Sequence, residues 1–558
     1  MKKIYLIFIL IITVSVTEAQ TWQWAKHYGK SGYQQGNSVA VDQSGNTYVT
    51  GSFSSDTLIF GSDTLFNTLP YSSQMFLVKF DVNGNVLWAK SSVGTSVSSA
   101  SSVAVDTSGN AYVTGFYQCS TITFGSTTLT NSNSSRNEFF IVKFDPNGNA
   151  VWAKSAGYTD DDEGYSVATD ANGNVFATGY YNNTITFGSH TLLGTVGADY
   201  FIVKYDSTGN VLWAKNANGT YDDYGNCLAT DASGNVYVAG NFGSNSITFQ
   251  GYTISNASLG TPEIFIVKYD PTGNVLWAKS AKGTGGVDIP YGIKTDNTGN
   301  IYLTGSFDSS PLIMGTDSIY ASGASCVFIA KYNSSGTALW ARGSTISGTL
   351  DESEGYGLTV DSGGSIYVVG SFIGDEITFA GHNLLTHSIN SYNDIFIVQY
   401  SNNGNYLWGR SIGGNLSDEG FAITSNAGGD VYITGYFYSS SFSFGSIPVN
   451  ISSGSSGDVY LAKLGSSVSI NEYPAEADLS FFPNPATDKL TIVIANNDVT
   501  LSLSKGQIEI SNIQGQILRT INTTEKQTSI DVSDLAGGVY IIKAKTEKGM
   551  TVKKFIKE

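Results

Sequence analysis

The amino-acid sequence predicts an all-β protein whose main body is a seven-bladed β-propeller, and three observations predict it. A tryptophan recurs seven times in closely similar surroundings. Four short β-like runs follow one another in a fixed order within each repeat. The turn motif Asp-x-x-Gly-Asn recurs between the first and second runs, and again between the third and fourth. Four antiparallel strands per repeat, each sheet burying its faces against its neighbours, describe a propeller.

The recurring tryptophans set the number of repeats. They are Trp24, Trp88, Trp152, Trp213, Trp277, Trp340 and Trp408. Successive members lie roughly 60 to 70 residues apart, and self-similarity at a fixed period is typical of repeat architectures. We expect these side chains to pack one blade against the next rather than to bind sugars, because large aromatic rings dominate core energetics.

The repeat that contains Trp277 shows the four runs clearly. They are Asn226 to Asp231, Asn235 to Gly240, Ile264 to Tyr269, and Asn274 to Trp277. All are rich in β-branched and aromatic residues, and the turn motif between them is typical of a hairpin with glycine in the left-handed region. Roughly twenty further residues separate the second run from the third, more than a blade needs. We expect this insertion to project from one face.

The ends of the repeat region predict how the circle closes. The last repeat has three strands, Gly420 to Thr424, Val431 to Gly435 and Val459 to Leu464, but no tryptophan strand. The N-terminal region supplies an unmatched one, Thr21 to Lys26. We therefore expect the N-terminal strand to complete the last four-stranded blade.

A specific pattern links the repeat to a known family. The pattern Val-x-Val-Asp-x-x-Gly-Asn-x-Tyr-Val-Thr-Gly, found at Val39 to Gly51 and at Val103 to Gly115, resembles the SBBP-type β-propeller repeats. This resemblance covers roughly residues 21 to 465.

Two terminal segments differ from the repeats. Residues 1–19 combine Lys2-Lys3 with an apolar run and a small-residue exit, the pattern of a signal peptide cleaved after Ala19. The apolar run is too short to span a membrane, and no later run is long enough to do so in the mature chain. We expect the propeller over 20–465, a polar linker over 466–478, and a small Ig-like β-sandwich over 479–558.

Three separated motifs mark the C-terminal segment. Their residues are Pro483, Asn484, Pro485, Gly515, Gly537, Gly538, Tyr540, Lys553 and Lys554. In this order they resemble the type A C-terminal sorting domain of the type IX secretion system. The resemblance implies export by the outer-membrane secretion and sorting machinery of a Gram-negative bacterium, cleavage in the linker, and either release or attachment to the cell surface. An ordinary Ig-like accessory module is the alternative.

Composition excludes several partners and offers little for catalysis. The chain of 558 residues has 46 acidic and 29 basic residues, a net charge of −17, which argues against a nucleic-acid partner. Four histidines are few for acid–base chemistry, and three cysteines give no disulfide framework. We expect no metal or other cofactor. Calcium is a weaker alternative, because the turn motif lacks EF-hand spacing.

A group of acidic residues precedes the first run of several repeats. They are Asp160, Asp161, Asp162, Glu163, Asp222, Asp223, Asp351, Glu352, Glu354, Asp418 and Glu419. We expect them to emerge on the same face as the insertions and to form a negative, aromatic-bearing rim. Such a rim either keeps an exported protein soluble or binds a cation or another ligand.

The sequence therefore predicts a secreted or cell-surface, non-catalytic binding or adhesion scaffold with a glycan or protein ligand. The reasons are long variable insertions on a rigid frame and the absence of a catalytic constellation. One alternative is an extracellular lyase or glycosidase acting on polysaccharide. The other is a quinoprotein-like oxidoreductase, because Asp270 to Trp277 is similar to the tryptophan-docking motif of those propellers.

Overall fold

The computed structural model describes the chain with gaps. It covers residues 20–67, 72–157, 160–217, 219–256, 258, 260–347, 351–388, 392–465, 478–495, 506–512, 517–523, 527–546 and 549–557. The contacts divide the chain after residue 466 into a large N-terminal unit and a small C-terminal unit. The predicted signal peptide, Gly515 and all but the last residue of the predicted linker lie outside the described residues.

The large unit contains, in its described residues, seven antiparallel groups of four strands, here sheets 1 to 7; further pairings join sheets 7 and 1 into one eight-stranded sheet and extend sheet 5 by two strands. The first strands are Gly32–Val41, Ser98–Val105, Asp162–Thr169, Asp223–Thr230, Asp288–Thr295, Ser353–Val360 and Asp418–Ser425. The second strands are Thr47–Phe53, Ala111–Tyr117, Val175–Phe187, Val236–Phe242, Ile301–Phe307, Ile366–Phe372 and Val431–Phe437. The third strands are Gln74–Phe80, Glu138–Phe144, His190–Tyr205, Glu263–Tyr269, Cys326–Tyr332, Asp394–Tyr400 and Ser455–Leu464. The fourth strands are Val86–Ser91, Ala150–Ala156, Val211–Ala217, Val275–Ser280, Ala338–Ile346, Tyr406–Ile412 and Trp22–Tyr28.

The hydrophobic pattern explains the strand order within a sheet. Every residue of the third strand Glu263–Tyr269 is buried, whereas exposed and buried residues mix along the fourth strand Val275–Ser280. A strand buried on both faces carries an unbroken apolar run, and an edge strand does not. The second and third strands are therefore central, and the tryptophan strand forms one edge.

The core lies between neighbouring sheets. Val39 and Val49 of sheet 1, for example, share one apolar cluster with Val459 and Leu461 of sheet 7. The first strand of each sheet lies against the first strand of the next, and that of sheet 7 lies against that of sheet 1. The first strands therefore follow one another in a closed circle.

The N-terminal strand closes this circle, as the unmatched tryptophan strand predicts. Trp22–Tyr28 pairs antiparallel with Ser455–Leu464, the third strand of sheet 7. A short parallel pairing of Gly32 with Ser455 and of Tyr33 with Gly457 also joins sheet 7 to sheet 1.

The described hairpin within the insertion between the second and third strands packs against its own sheet, in contrast to the predicted projection. In every sheet the insertion contains such a short hairpin. The hairpin strands are Thr57–Phe60 and Asp63–Phe66, Thr121–Phe124 and Thr127–Thr130, Ser246–Phe249 and Tyr252–Ser255, Leu312–Met314 and Asp317–Ile319, Glu376–Phe379 and His382–Leu385, and Ser441–Phe444 and Ile447–Asn450, with the ends of Val175–Phe187 and His190–Tyr205 in sheet 3. Phe60 and its counterparts are buried, because each hairpin folds back onto the tryptophan strand of its own sheet.

Three of these hairpins also receive a strand from the preceding sheet. Val93–Gly94 pairs with Thr121–Phe124, and Lys282–Gly283 pairs with Leu312–Met314. The long strand Ala338–Ile346 continues from sheet 5 to Glu376–Phe379 of the next hairpin. Backbone hydrogen bonds therefore join neighbouring sheets near their outer edges.

The described residues of the small unit form two sheets. One is formed by Asp478–Phe482, Lys489–Ala495 and Gln527–Asp531, and the other by Ile517–Thr523, Gly506–Asn512, Gly538–Thr546 and Gly549–Lys557. Leu490, Ile508, Ile542 and Phe555 belong to its buried core.

The described residues contain strands and turns but no helix, which confirms the predicted all-β class. It follows that this part of the chain has no helix long and apolar enough to cross a membrane. Cys119, Cys227 and Cys326 are all buried and free of disulfide bonds.

Candidate functional site

The two ends of the sheets are built differently, and this difference locates the candidate site. We call the end with the Asp-x-x-Gly-Asn hairpins the turn end. We call the opposite end, where the fourth strand of one sheet leads into the first strand of the next, the loop end.

The turn end repeats nearly the same hydrogen bonds from sheet to sheet. In sheet 2, Asp106 Oδ1 accepts from the backbone N–H groups of Ser108 and Asn110, both at 2.9 Å. Its Oδ2 accepts from Asn110 Nδ2 at 2.8 Å and from the Tyr112 hydroxyl at 3.1 Å. Such a capped turn is a structural requirement of every hairpin, so its repetition needs no functional explanation.

The tryptophans dock onto the turn end of the following sheet. Trp88 Nε1 donates to the carbonyl oxygen of Pro146 at 3.0 Å, and Trp152 Nε1 donates to that of Ser207 at 3.2 Å. The same bond runs from Trp24, Trp213, Trp277 and Trp340 to Val82, Pro271, Ser334 and Asn402. The Arg410 guanidinium lies over Trp408, 5.1 Å from the ring centre. These positions are those of packing residues.

A lysine, a tyrosine and an aspartate form a second recurring unit at the turn end. Lys268 Nζ lies 4.8 Å from the ring centre of Tyr237 and 3.7 Å from Asp231 Oδ2. The Tyr237 hydroxyl donates to the same carboxylate at 2.9 Å. The ammonium group is thus held by a carboxylate and by an aromatic face together.

The structure divides the predicted acidic rim. Asp162, Asp223 and Asp418 are fully buried, which corrects the expectation that they lie on a solvent-exposed rim. The reason is that each begins a first strand and binds neighbouring loops: Asp418 Oδ2 accepts from Gly414 N at 2.8 Å and from the Ser439 hydroxyl at 2.7 Å. Burial raises the pKa of Asp223 to about 7 and that of Asp418 to about 6.

Five other members lie nearer the surface. Asp222 and Glu352 are exposed, and Asp160, Asp161 and Asp351 are half-buried. Asp161 forms an ion pair with Arg136 at 2.9 Å, and Asp222 Oδ1 accepts from Ala198 N at 2.9 Å. A ligand-binding role for these five residues stays a prediction.

The remaining three members, Glu163, Glu354 and Glu419, occupy one common place, directly after the residue that opens the first strand. Because the first strands form the closed circle, these glutamates lie on its inner strands at the loop end. A β-bulge follows each of them. Bulges commonly re-aim side chains beside functional sites.

Aromatic residues join two of these glutamates into a continuous cluster, which we call the axial arc. It contains Tyr291, Tyr356, Phe421, Tyr436 and Tyr33 with Glu354 and Glu419. Neighbouring rings have centroids 5.1 to 5.5 Å apart, in the order given. Tyr33, Tyr291, Tyr356 and Phe421 are half-buried, and Tyr436 is buried. The arc spans four consecutive sheets, from sheet 5 through sheet 7 to sheet 1.

Tyrosine hydroxyls bind both carboxylates of the arc. Tyr436 donates to Glu419 Oε1 at 2.6 Å, and Asn393 Nδ2 donates to the same oxygen at 2.8 Å. Glu354 accepts from Tyr356 and, at 3.4 Å, from Tyr291. Burial raises the pKa of Glu419, the bonds from Tyr436 and Asn393 lower it, and the nearby charge of Glu354 raises it, with a net increase.

A smaller aromatic group lies on sheets 3 and 4. The Tyr180 ring is 5.5 Å from that of Tyr165 and 5.2 Å from that of Tyr224. Glu163 accepts from Asn137 Nδ2 at 2.6 Å, and burial raises its pKa. In sheet 2 the positions of Glu163 and Tyr165 are occupied by Ser99 and Ser101. The side chains at these positions therefore differ in chemistry from sheet to sheet around the circle.

Sequence reasoning found the glutamates but not their aromatic partners. Tyr165, Tyr291, Tyr356 and Phe421 each lie five residues before the residue that caps the first turn of their repeat. Aligning the repeats on those turns would have placed them together. Within the described stretches, no three histidine, cysteine, aspartate or glutamate side chains are grouped to hold a metal ion.

The predicted sorting-motif residues lie on the small unit. Asn484 Oδ1 accepts from Ile556 N at 2.8 Å, and the Tyr540 hydroxyl donates to Ala536 O at 2.7 Å. Pro483, Pro485, Gly537, Gly538 and Lys554 are exposed, and Lys553 is half-buried.

Comparison with known families finds a β-propeller repeat and a C-terminal sorting domain within the chain. Residues 23–52 match the model described as a beta-propeller repeat. Residues 480–558 match the model described as a secretion system C-terminal sorting domain. Both resemblances inferred from the sequence are confirmed. The sorting domain indicates export by the type IX secretion system, to the cell surface or into the medium.

Individual proteins resemble the chain more distantly. An uncharacterized WD repeat-containing protein of Acanthamoeba polyphaga mimivirus is 26% identical over 507 residues, 75% of this chain and 36% of that protein. The regulatory protein FlaEY of Caulobacter vibrioides is 26% identical over 216 residues, 38% of this chain and 21% of that protein. The chain thus spans about a third and about a fifth of these curated relatives.

Among solved structures, PorZ of Porphyromonas gingivalis, an essential bacterial surface component of the type IX secretion system, is 10% identical. The alignment covers 96% of this chain and all of that one, with a TM-score of 0.14.

Proposed function

We propose that this protein is an exported, non-catalytic binding scaffold. In this proposal residues 20–465 form a seven-bladed β-propeller whose axial arc binds an extracellular ligand. Residues 479–558 form an Ig-like β-sandwich that engages the outer-membrane sorting machinery of a Gram-negative bacterium.

The observation that carries the proposal is the unevenness of the axial positions within an otherwise regular repeat. The position of Tyr356 is occupied by Asn37, Ser101 and Asn226 in sheets 1, 2 and 4. Packing requires similar residues in every sheet, as the turn end shows, whereas recognition of a ligand requires different residues at defined places. The half-buried rings of the arc offer apolar area with polar tips, a composition common in binding sites.

A glycan array and a panel of bacterial surface proteins, probed with the whole secreted protein, test this function. Binding of the ligand is expected to be lost in the double variant Tyr356→Ser/Phe421→Ser. The matched control is Tyr320→Ser, because Tyr320 is 62% exposed and lies outside the arc. Binding that survives the double substitution would exclude the arc as the site.

Cleavage of a glycoside is the second candidate, favoured by one observation. Glu354 and Glu419 lie in one arc, and the raised pKa of Glu419 suits a general acid. If the protein cleaves a polysaccharide and Glu419→Gln abolishes this activity, the protein is an enzyme and the proposal of a non-catalytic scaffold is wrong.

A further inference from the structure

We propose that the axial arc recognises an organic ammonium group, carried either by a free amine or by a lysine side chain of a protein. This inference rests on the proposed function, because it names the chemistry of the ligand that the arc holds.

The first argument is an internal precedent at the turn end. There, a tyrosine hydroxyl donates to a carboxylate, and a lysine ammonium completes the unit: Lys268 with Tyr237 and Asp231. Lys79 with Tyr48 and Asp42 forms the same unit in sheet 1. This protein therefore already uses the combination of an aromatic face and a carboxylate to hold an ammonium group.

The axial arc repeats two of the three parts of that unit. The Tyr356 hydroxyl donates to Glu354, and the Tyr436 hydroxyl donates to Glu419. In the described part of the chain, neither glutamate forms an ion pair with a lysine, arginine or histidine. On the four first strands of the arc the one basic residue is Lys294, three residues beyond Tyr291 toward the turn end.

The charge of the arc supports the same ligand. Two like-charged carboxylates lie close enough for Glu354 to act on Glu419, and both are partly withdrawn from water. A cationic ligand between them would offset part of their repulsion, whereas a neutral sugar would leave it in place. The half-buried rings of Tyr356 and Phe421, with centroids 5.1 Å apart, add aromatic faces that attract a cation.

Calorimetric titration of the whole secreted protein tests the proposal with matched probes. Choline is compared with dimethylbutanol, its uncharged carbon isostere, and choline is expected to bind about tenfold or more tightly. The same titration is carried out with cadaverine and with Nα-acetyl-lysine methylamide, whose side-chain ammonium group is free. Tighter binding of the lysine amide assigns the site to protein lysines, and tighter binding of cadaverine assigns it to free amines.

Matched variants connect the binding to the arc. Glu354→Gln/Glu419→Gln is expected to weaken choline binding about tenfold or more. Asp375→Asn, at an exposed residue of sheet 6 that lies outside both the arc and the predicted acidic rim, should leave it unchanged. Phe421→Tyr keeps an aromatic face and should retain binding, whereas Phe421→Leu should weaken it severalfold. Melting curves of each variant show that loss of binding is not loss of folding.

Three results would overturn the inference. Equal binding of choline and its isostere would remove the role of charge but leave the arc as a binding site. Binding of neutral glycans lost in the arc variants, with no response to amines, would keep the proposed function and exclude the ammonium ligand. Absence of binding by every amine probe to a folded protein would exclude it as well.

Discussion

Two aspartates mark the ends of one strand of sheet 5 and behave in opposite ways: Asp288 is its first residue, and Asp296 directly follows its last. Asp288, at the loop end, is fully buried, and burial raises its pKa to about 6 despite hydrogen bonds from Ser309. Asp296, at the turn end, is also partly desolvated, but bonds from Asn300, Thr298 and Tyr302 outweigh this and lower its pKa to about 2. The carboxyl group of Asp296 is thus kept ionised at the turn end, whereas burial favours the neutral form of Asp288 at the loop end.

This difference separates the two tasks of the repeat. At the turn end the donors around each carboxylate are supplied by the turn itself, so the arrangement recurs with little change and serves stability. At the loop end the acids meet neighbouring loops and rings that differ between sheets. We infer that the turn end maintains the frame and that the loop end carries the specificity.

The largest effect is expected from breaking the frame. Trp152→Ala removes a buried indole and its bond to Ser207 O, and it should cost about 3–5 kcal/mol of folding free energy. Trp408→Ala is the matched control with a smaller cost, because Trp408 is only half-buried. Denaturant unfolding measures both. Equal losses would show that docking on the next turn adds nothing.

The two aspartates of sheet 5 should respond to opposite pH ranges. The raised pKa of Asp288 stabilises the fold below about pH 4, and roughly 2–3 kcal/mol of this is lost as the pH rises to about 6. The lowered pKa of Asp296 stabilises the fold above about pH 4, and this contribution is lost as the pH falls toward 2.

Melting temperatures between pH 2 and pH 8 measure both effects. Asp288→Asn should flatten the upper range, and Asp296→Asn should flatten the lower range. Identical profiles for the two variants would contradict the proposed difference between the ends.

A pair of glycine substitutions tests how tightly the docked tryptophan packs against the turn end. Gly148 has a φ of 81°, and an added Cβ would lie 2.8 Å from Trp88. Gly251 has a φ of 93°, but nothing lies within 4 Å of its added Cβ. Both alanine variants pay the backbone strain, and Gly148→Ala should cost about 1–2 kcal/mol more in unfolding experiments. Similar costs would mean that the docked ring can shift freely.

The smallest effect is expected from removing one hydroxyl at each end. Tyr237→Phe removes the bond from a fully buried ring to Asp231, which keeps Asn235 Nδ2 as a donor to the same oxygen, and should cost about 1 kcal/mol. Tyr356→Phe should cost about 0.5 kcal/mol, because Glu354 keeps Tyr291 as a partner and lies half-exposed. Unfolding free energies of the two variants check the order, and a reversed order would place the structural role at the loop end.

Local patterns in the sequence were sufficient to predict the frame. The Asp-x-x-Gly-Asn motif specifies its own hydrogen bonds, so the Asp106 turn could be predicted from five consecutive residues. The unmatched strand around Trp24 could be assigned to the last sheet, because that sheet lacked its tryptophan strand. The first inference depends on hydrogen bonds within one turn, and the second depends on counting the strands of each repeat.

The axial arc could not be predicted in the same way. Tyr291, Tyr356 and Phe421 are far apart in the sequence and meet because three first strands lie side by side. The burial of Asp223 was missed because an acid before an apolar run is typical of an exposed loop. Only the loop that reaches over from Ser244 makes that position interior.

Pairing of the first strand with the last has a kinetic consequence. Because Trp22 and Leu464 are register partners, the circle cannot close until nearly the whole large unit has been synthesised. Until then Trp22–Tyr28 lacks its partner strand, and contacts of such high sequence separation form slowly. A chain truncated before Ser455–Leu464 is expected to remain an open assembly with unpaired strand edges, which favour aggregation.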